Sequence, residues 1–203
     1  QLAALTTAQM AALDSSDVAA LTSDSIAGLS SAQVAALSTS AFAALTTADL
    51  DALTSAAVSG ITSAQVGTLD TAEIQALGTD IANLSASAEG EFTSDQLGAF
   101  TTAQAAALDS ADVSAFTSDA FNGFSTENLE ALTSDALVGL TSDQVTTLDT
   151  NEIQILGTDI ANLSTAAMAM LTSEQLAALT TDQVAQLAST DIAALTSAAL
   201  AGW

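Results

Sequence analysis

The sequence of 203 residues contains no lysine, arginine, histidine, cysteine, proline or tyrosine. Its 24 carboxylates and complete lack of cationic side chains give a formal net charge of -24, so no two side chains can form an ion pair. Nucleic-acid binding and attraction to anionic lipids both depend on Lys and Arg. We therefore expect neither nucleic acid nor an anionic membrane surface as a partner.

The missing residue types also remove most catalytic chemistry. Without His, Cys, Lys or Arg there is no Ser–His triad, thiolate nucleophile, Schiff base or phosphoryl clamp, and no soft metal site. We therefore predict that the chain is not an enzyme and carries no cofactor. Only a hard cation such as calcium remains open, with the pairs Asp14–Asp17 and Asp109–Asp112 as candidate ligands. The alternative is that these carboxylates cap helices.

Long apolar runs are absent as well, because Ser, Thr, Asp or Gln interrupts every apolar stretch before the roughly 18 to 20 residues of a membrane helix. Membrane insertion is therefore not expected. The chain starts at Gln1, within a repeat and with no basic leader, so we interpret it as a piece of a longer protein.

What the sequence does contain is an eight-residue repeat. An apolar residue returns at every eighth position from Leu13 to Trp203, except for two seven-residue units at 78–84 and 157–163. With this residue as position 8, a typical unit is 62–69, Thr-Ser-Ala-Gln-Val-Gly-Thr-Leu. Position 1 is nearly always Thr, Ser or Asp, position 4 favours Gln, Asp or Glu, and position 5 is apolar except at Glu89.

This pattern predicts one short helix per unit. Residues at positions 1 and 4 match a capping box, as in Thr62 with Gln65, Asp70 with Glu73, Asp149 with Glu152, and Thr172 with Gln175. Positions 5 and 8 then share one helical face, and the next Thr or Ser restarts the cycle. We therefore predict an all-α solenoid of very short helices, with a β-solenoid as the main alternative and long helices or disorder as further ones.

A longer period lies inside the array, which we treat as one domain over residues 1–203. Residues 69–85 recur almost unchanged at 148–164, 79 residues later, which corresponds to ten units. In each copy the shortened unit places Gly78 or Gly157 at position 1, where a glycine can adopt positive φ. This spacing fits either a duplication with a tolerated deletion or a device that resets the phase of the superhelix.

Two further residues are singled out as structural. Glu89 occupies a core position where a lone carboxylate is costly to bury, so we expect its unit to be locally exposed; fraying or a cation contact are the alternatives. Trp203, the sole tryptophan, ends the array at position 8 and either fills its last turn or plugs into another protomer.

The repeats, with units such as Leu5-Thr6-Thr7-Ala8-Gln9, resemble the octad arrays of large bacterial secreted or surface proteins of adhesin type. The resemblance covers essentially the whole chain and implies an extracellular or cell-surface structural or adhesive role. It implies no catalytic or binding residue.

The leading functional expectation is a filament, sheath or adhesin stalk that self-associates head to tail or by lateral stacking. The alternative is a binding module, because positions 1 and 2 would form two rows of Thr and Ser hydroxyls along the array. Such rows would order water, bind ice or carry O-linked glycans, unless position 1 is consumed in helix capping.

Overall fold

The computed structural model describes residues 2–201, and these form a series of helices three to six residues long. The α-helices are α1 (Thr7–Met10), α2 (Ser15–Ala19), α3 (Ser23–Ile26), α4 (Ser31–Ala36), α5 (Thr39–Phe42), α6 (Thr47–Asp51), α7 (Ser55–Val58), α8 (Ser63–Val66), α9 (Thr71–Ala76), α10 (Ala86–Glu89), α11 (Ser94–Gly98), α12 (Thr102–Ala107), α13 (Ser110–Ala115), α14 (Ser118–Phe121), α15 (Thr126–Ala131), α16 (Ser134–Leu137), α17 (Ser142–Thr147), α18 (Thr150–Ile155), α19 (Thr165–Met168), α20 (Ser173–Ala177), α21 (Thr181–Gln186), α22 (Ser189–Ala194) and α23 (Ser197–Leu200). Three 3₁₀ helices complete the series: η1 (Leu2–Ala4), η2 (Gly78–Asn83) and η3 (Gly157–Asn162).

Each α-helix begins where the residue at position 1 is extended. In the unit 62–69, Thr62 has φ −88° and ψ 161°, its side chain accepts a hydrogen bond from the Gln65 amide, and the Gln65 side chain accepts one from the Thr62 amide. The same reciprocal capping is present at the other three predicted boxes, starting at Asp70, Asp149 and Thr172. The prediction of capping boxes is therefore confirmed at all four places.

Three units make one coil of the solenoid. Nearly every helix packs against the helix three places later in the chain: α1 against α4, α4 against α7, and α7 against η2. The same relation continues to the pairs α19–α22 and α20–α23 at the other end. The chain is therefore a three-sided rod, in which each side is a stack of short helices contributed by every third unit.

The core is a continuous apolar column along the axis of the rod. Position 5 is buried in every unit from Met10 to Leu176, and position 8 is buried from Leu29 to Leu171. Both positions point inward because they lie three residues apart and share one face. Positions 3 and 6 lie on the outside and are mostly exposed.

The fold prediction is confirmed in its main statement: the described residues form an all-helical solenoid with one short helix per unit. The β-solenoid alternative is wrong, because within residues 2–201 the extended backbone is confined to the corners between helices and forms no strand. A long continuous helix is also excluded, since each position 1 residue breaks the helical backbone.

The two shortened units are the places where a 3₁₀ helix replaces the α-helix. Gly78 and Gly157 have φ of 53° and 55°, and they are the residues with positive φ among those the structure describes. Each follows directly on an α-helix, α9 or α18, and opens η2 or η3. The glycine takes a left-handed conformation that an L side chain rarely adopts, and this lets the chain turn with one residue fewer.

The helices of residues 2–201 are all too short to span a lipid bilayer.

Candidate functional site

The corners of the rod are joined by a set of buried amide side chains at position 4. Each donates from its side-chain nitrogen to backbone carbonyls of the unit four places earlier, which lies on the neighbouring coil. Gln65 Nε2 donates to the carbonyl oxygens of Val34 and Leu37, both at 2.9 Å. The residues of this set, called here the corner amides, are Gln33, Gln65, Gln96, Gln104, Asn128, Gln144, Gln175 and Gln183.

A corner amide has two roles, of which the sequence pattern predicts only one. The Oε1 atom of Gln65 accepts the Thr62 amide at 2.8 Å, as the capping box requires. Its Nε2 is then free to bond the next coil, which a Glu in the same place could not do. Burial distinguishes the two uses, since Gln65 is buried whereas the capping residue Glu73 is only half-buried. Sequence analysis missed this second role because no pattern in the octad indicates which carbonyl lies opposite.

The hydroxyls of positions 1 and 2 behave differently. Nearly all position 1 hydroxyls accept the amide of position 4, as Thr141 does for Gln144 at 3.3 Å, and so serve as helix caps. Position 2 hydroxyls lie at the start of each helix, and none is buried. They form three rows, one on each side of the rod. One unbroken row is Ser23, Thr47, Thr71, Ser94, Ser118, Ser142, Thr165 and Ser189.

Some position 2 hydroxyls bond the next coil. Ser55 Oγ donates to Asp80 Oδ1 at 2.7 Å, and Ser63 Oγ donates to the Ser87 carbonyl at 2.7 Å. Since others, such as Ser142, make no hydrogen bond of this kind, the rows combine coil contacts with solvent-facing hydroxyls.

Glycine at position 7 allows two coils to approach closely. A Cβ built on Gly60 would lie 2.1 Å from the Ser31 carbonyl oxygen, and one on Gly139 would lie 2.1 Å from that of Ser110. Open surface grooves of about 470 and 500 Å³ run beside these two contacts. The grooves are lined mainly by Ser, Thr, Ala and Gly, and their lining residues correspond to one another at the 79-residue offset.

The candidate calcium ligands are engaged in capping. Asp14 Oδ1 accepts the amides of Ser16 and Asp17 at 2.8 and 2.9 Å, and Asp17 accepts the amide of Asp14 at 3.1 Å. Asp109 and Asp112 repeat this arrangement in α13. Among residues 2–201 no group of three or more His, Cys, Asp or Glu side chains has the geometry to hold a metal ion.

The expectation of an exposed unit around Glu89 is wrong. Glu89 is 2 % exposed, and its Oε1 finds no hydrogen-bond partner among the described residues. Burial first, then a hydrogen bond to the Asp112 side chain and the charges of Asp112 and Asp109, raise its pKa to about 9. Glu89 is therefore a neutral acid at pH 7, and neutralisation is what makes its burial tolerable.

Asp49 shows how a buried carboxylate can instead remain charged. Burial alone would raise its pKa, but hydrogen bonds from Thr46 and Ser23 lower it below its usual value. The Thr46 and Ser23 hydroxyls donate to Asp49 at 2.7 and 2.8 Å. Glu89 has no comparable donors, so the two buried acids carry different charges.

The last residue singled out from the sequence, Trp203, lies outside the described residues. Gly78 and Gly157 lie at the start of η2 and η3, and a Cβ added to either glycine would meet no atom within 4 Å. Their role is therefore conformational and does not depend on close packing.

This arrangement of repeated short helices around a shared core defines an α-helical solenoid, a repeat protein in which each unit is stabilised by its neighbours. The ALTTAQ repeat family model matches residues 10–47, 42–79, 105–142 and 157–189, which together cover more than half of the chain. The chain therefore belongs to the ALTTAQ repeat family. No curated protein matches it.

Proposed function

We propose that this chain is a stiff structural rod, a segment of an extracellular filament, sheath or adhesin stalk with no catalytic role. The observation that carries the proposal is the packing of each unit on the unit three places later, without interruption from η1 to α23. Such an array transmits load and sets distance, since its core is one column with no break between domains.

The corner amides support stiffness. Each links two coils across a buried corner, so sliding or opening one coil against the next would leave backbone carbonyls without a donor. An unsatisfied buried polar group costs about 1 to 3 kcal/mol. Because the links recur along the rod, bending at any point meets this cost.

Head-to-tail stacking is supported by the apolar side chains of the last coil described. Ile192 and Leu200 are 36 % and 37 % exposed, whereas their equivalents 79 residues earlier, Val113 and Phe121, are 0 % and 2 % exposed. A further coil placed on this end would bury Ile192 and Leu200 in the same way. Since a coil-on-coil contact does not close on itself, its repetition gives a filament.

Charge and family resemblance support the surface location. A rod with 24 carboxylates and no cations repels other copies of itself along its sides, so end contacts are favoured over side contacts at low salt. The likeness to secreted and surface octad arrays supports the extracellular and adhesin parts of the proposal.

The test is electron microscopy and small-angle scattering of the purified chain over a range of concentrations. Between eight and nine coils, spaced by about 8 to 10 Å as packed helices are, give a rod on the order of 70 to 90 Å long. We expect rods of this length that join end to end as concentration and salt rise. A compact particle, or one whose length never changes, would contradict the proposal.

Matched variants identify the contact. Ile192→Asp with Leu200→Asp places two charges on the last coil and should abolish end-to-end growth. Val138→Asp is the control, because Val138 is 50 % exposed on the side of the rod. If the control stops growth as strongly as the end variant, association is lateral.

A second candidate function is a glycan-bearing surface, which the exposure of the position 2 hydroxyl rows favours. Ice binding is less favoured by the geometry, because hydroxyls of one row are separated by a helix spacing of about 8 to 10 Å rather than the about 4.8 Å of a β-solenoid. Intact-mass measurement of the natural protein tests the glycans, and a mass equal to the bare chain would contradict them.

A further inference from the structure

Glu89 is the single ionisable residue at a core position 5. The same place in the other two 79-residue registers is held by Met10 and Met168, both completely buried. Methionine is a neutral, unbranched side chain similar in length to glutamic acid. The site therefore accommodates the protonated acid by shape, and the difference from its equivalents is the ability to lose a proton.

The groups facing Glu89 come from two helices. On one side α10 packs on α8, whose residues Ser63–Val66 include no ionisable group. On the other side it packs on α13, which contributes Asp112, hydrogen-bonded to Glu89, and Asp109 at its N-cap. Glu91, in the same unit, is exposed to solvent.

Asp112 is held as the charged member of the pair. Its Oδ2 accepts the Asp109 amide at 2.8 Å, a bond that favours the carboxylate form. Glu89 has no such donor and therefore supplies the shared proton. If this proton leaves, two carboxylates face each other inside the core, with no cation anywhere in the sequence to compensate them.

We propose that Glu89 and Asp112 form a proton latch between two coils: the shared proton holds α10 against α13, and its loss at alkaline pH opens the rod at this joint. The latch sits beside an aromatic cluster, in which the rings of Phe92 and Phe116 lie 5.9 Å apart across the same coil boundary. Opening the joint exposes these rings.

The direction of the pH effect follows from the pKa of Glu89. Because it lies at about 9 in the folded chain against an ordinary 4.5, the folded state keeps a proton that the unfolded chain releases. This stabilisation is complete below pH 4.5 and is lost as the pH rises toward 9. Glu89→Met and Glu89→Gln remove the titration, and the first restores the residue used in the equivalent units.

The experiment compares melting temperature and chymotrypsin cleavage of the full chain below and above pH 9. We expect the wild type to lose several degrees more than either variant as the pH rises, and to become cleaved first after Phe92 and Phe116. Both variants should keep these sites protected at the same pH, which corrects for the pH dependence of the protease. Equal pH slopes in wild type and variants, or cleavage that starts elsewhere, would overturn the latch.

A transplant provides a second, independent measurement. Met168 and Asp191 have the same 23-residue separation as Glu89 and Asp112, lie in the packed units of α19 and α22, and Asp191 accepts the Ala188 amide at 2.7 Å. We expect Met168→Glu to create a new alkaline weak point there. A folded Met168→Glu chain with an unchanged pH slope would contradict the proposal.

Discussion

The side-chain amide of Gln65 donates to the carbonyl oxygen of Val34 at 2.9 Å, although 31 residues separate the two in the chain. The bond joins units on neighbouring coils at a buried corner. It depends on an amide rather than an acid, because the same side chain accepts a capping hydrogen bond through its oxygen. Thus one residue starts its own helix and fixes the position of an earlier coil.

Removing this bond should be costly. Gln65→Ala leaves the Val34 and Leu37 carbonyls without their donor, and we expect a loss of about 1 to 3 kcal/mol in the free energy of unfolding. Gln9→Ala is the matched control, since exposed Gln9 has the same capping bond but none to another coil. Chemical denaturation measures both, and equal losses would assign the whole effect to capping.

Gly60→Ala should separate two coils. The new Cβ would meet the Ser31 backbone at 2.1 Å, so we expect a destabilisation of about 1 to 3 kcal/mol or more. Gly67→Ala, where the nearest atom lies 3.7 Å away and φ is −62°, should instead be neutral or stabilise by up to about 1 kcal/mol. Thermal unfolding of the two variants decides, and a tolerated Gly60→Ala would show that the coils pack less closely than described.

Adjacent hydroxyls should differ in value. Thr141→Ala removes the helix cap of α17 and should cost about 0.5 to 2 kcal/mol. Ser142→Ala removes a position 2 hydroxyl that makes no hydrogen bond to any described residue and should change stability by less than about 0.5 kcal/mol. Comparable losses would mean that position 2 also has a structural role.

The shortened unit should depend on its glycine. Gly78→Ala has ample space but a φ of 53°, so the cost is backbone strain of about 1 to 2 kcal/mol. Gly78→Asn should cost less, because Asn tolerates the left-handed region better than Ala does. Melting temperatures in the order Gly, Asn, Ala are expected, and an unaffected Ala variant would contradict the conformational role.

Calcium removal should leave stability unchanged. The Asp14–Asp17 and Asp109–Asp112 carboxylates already accept backbone amides within their own helices. We expect the same melting temperature with chelator and with added calcium. A rise in melting temperature on adding calcium, lost in Asp14→Asn or Asp109→Asn, would establish a site.

The sequence predicts the single unit well because the unit is local. Thr62 and Gln65 are three residues apart, and their capping box depends only on that spacing and the residue types. The coil of three units could not be predicted, since it results from the small bend at each corner and leaves no 24-residue pattern in residue identity. For the same reason the carbonyl partners of Gln65 could not be found in advance.

Glu89 illustrates a different limit. The cost of burying a charge correctly excludes an ionised Glu89 in the core, but it does not exclude the protonated acid. Whether protonation or local exposure is preferred depends on Asp112, which lies 23 residues away and reaches Glu89 only through the coil. A core position considered without its neighbours therefore led to the wrong expectation of exposure.

The numbers three and ten have no common factor, and this decides how the rod looks from outside. Each 79-residue copy contains three complete coils and one extra unit, so it begins one side further round than the copy before it. Anything attached at one place in every copy would follow a spiral, facing three directions in turn before the fourth copy repeated the first. A long array of this kind would present the same features to its surroundings whichever way it was rolled about its own axis.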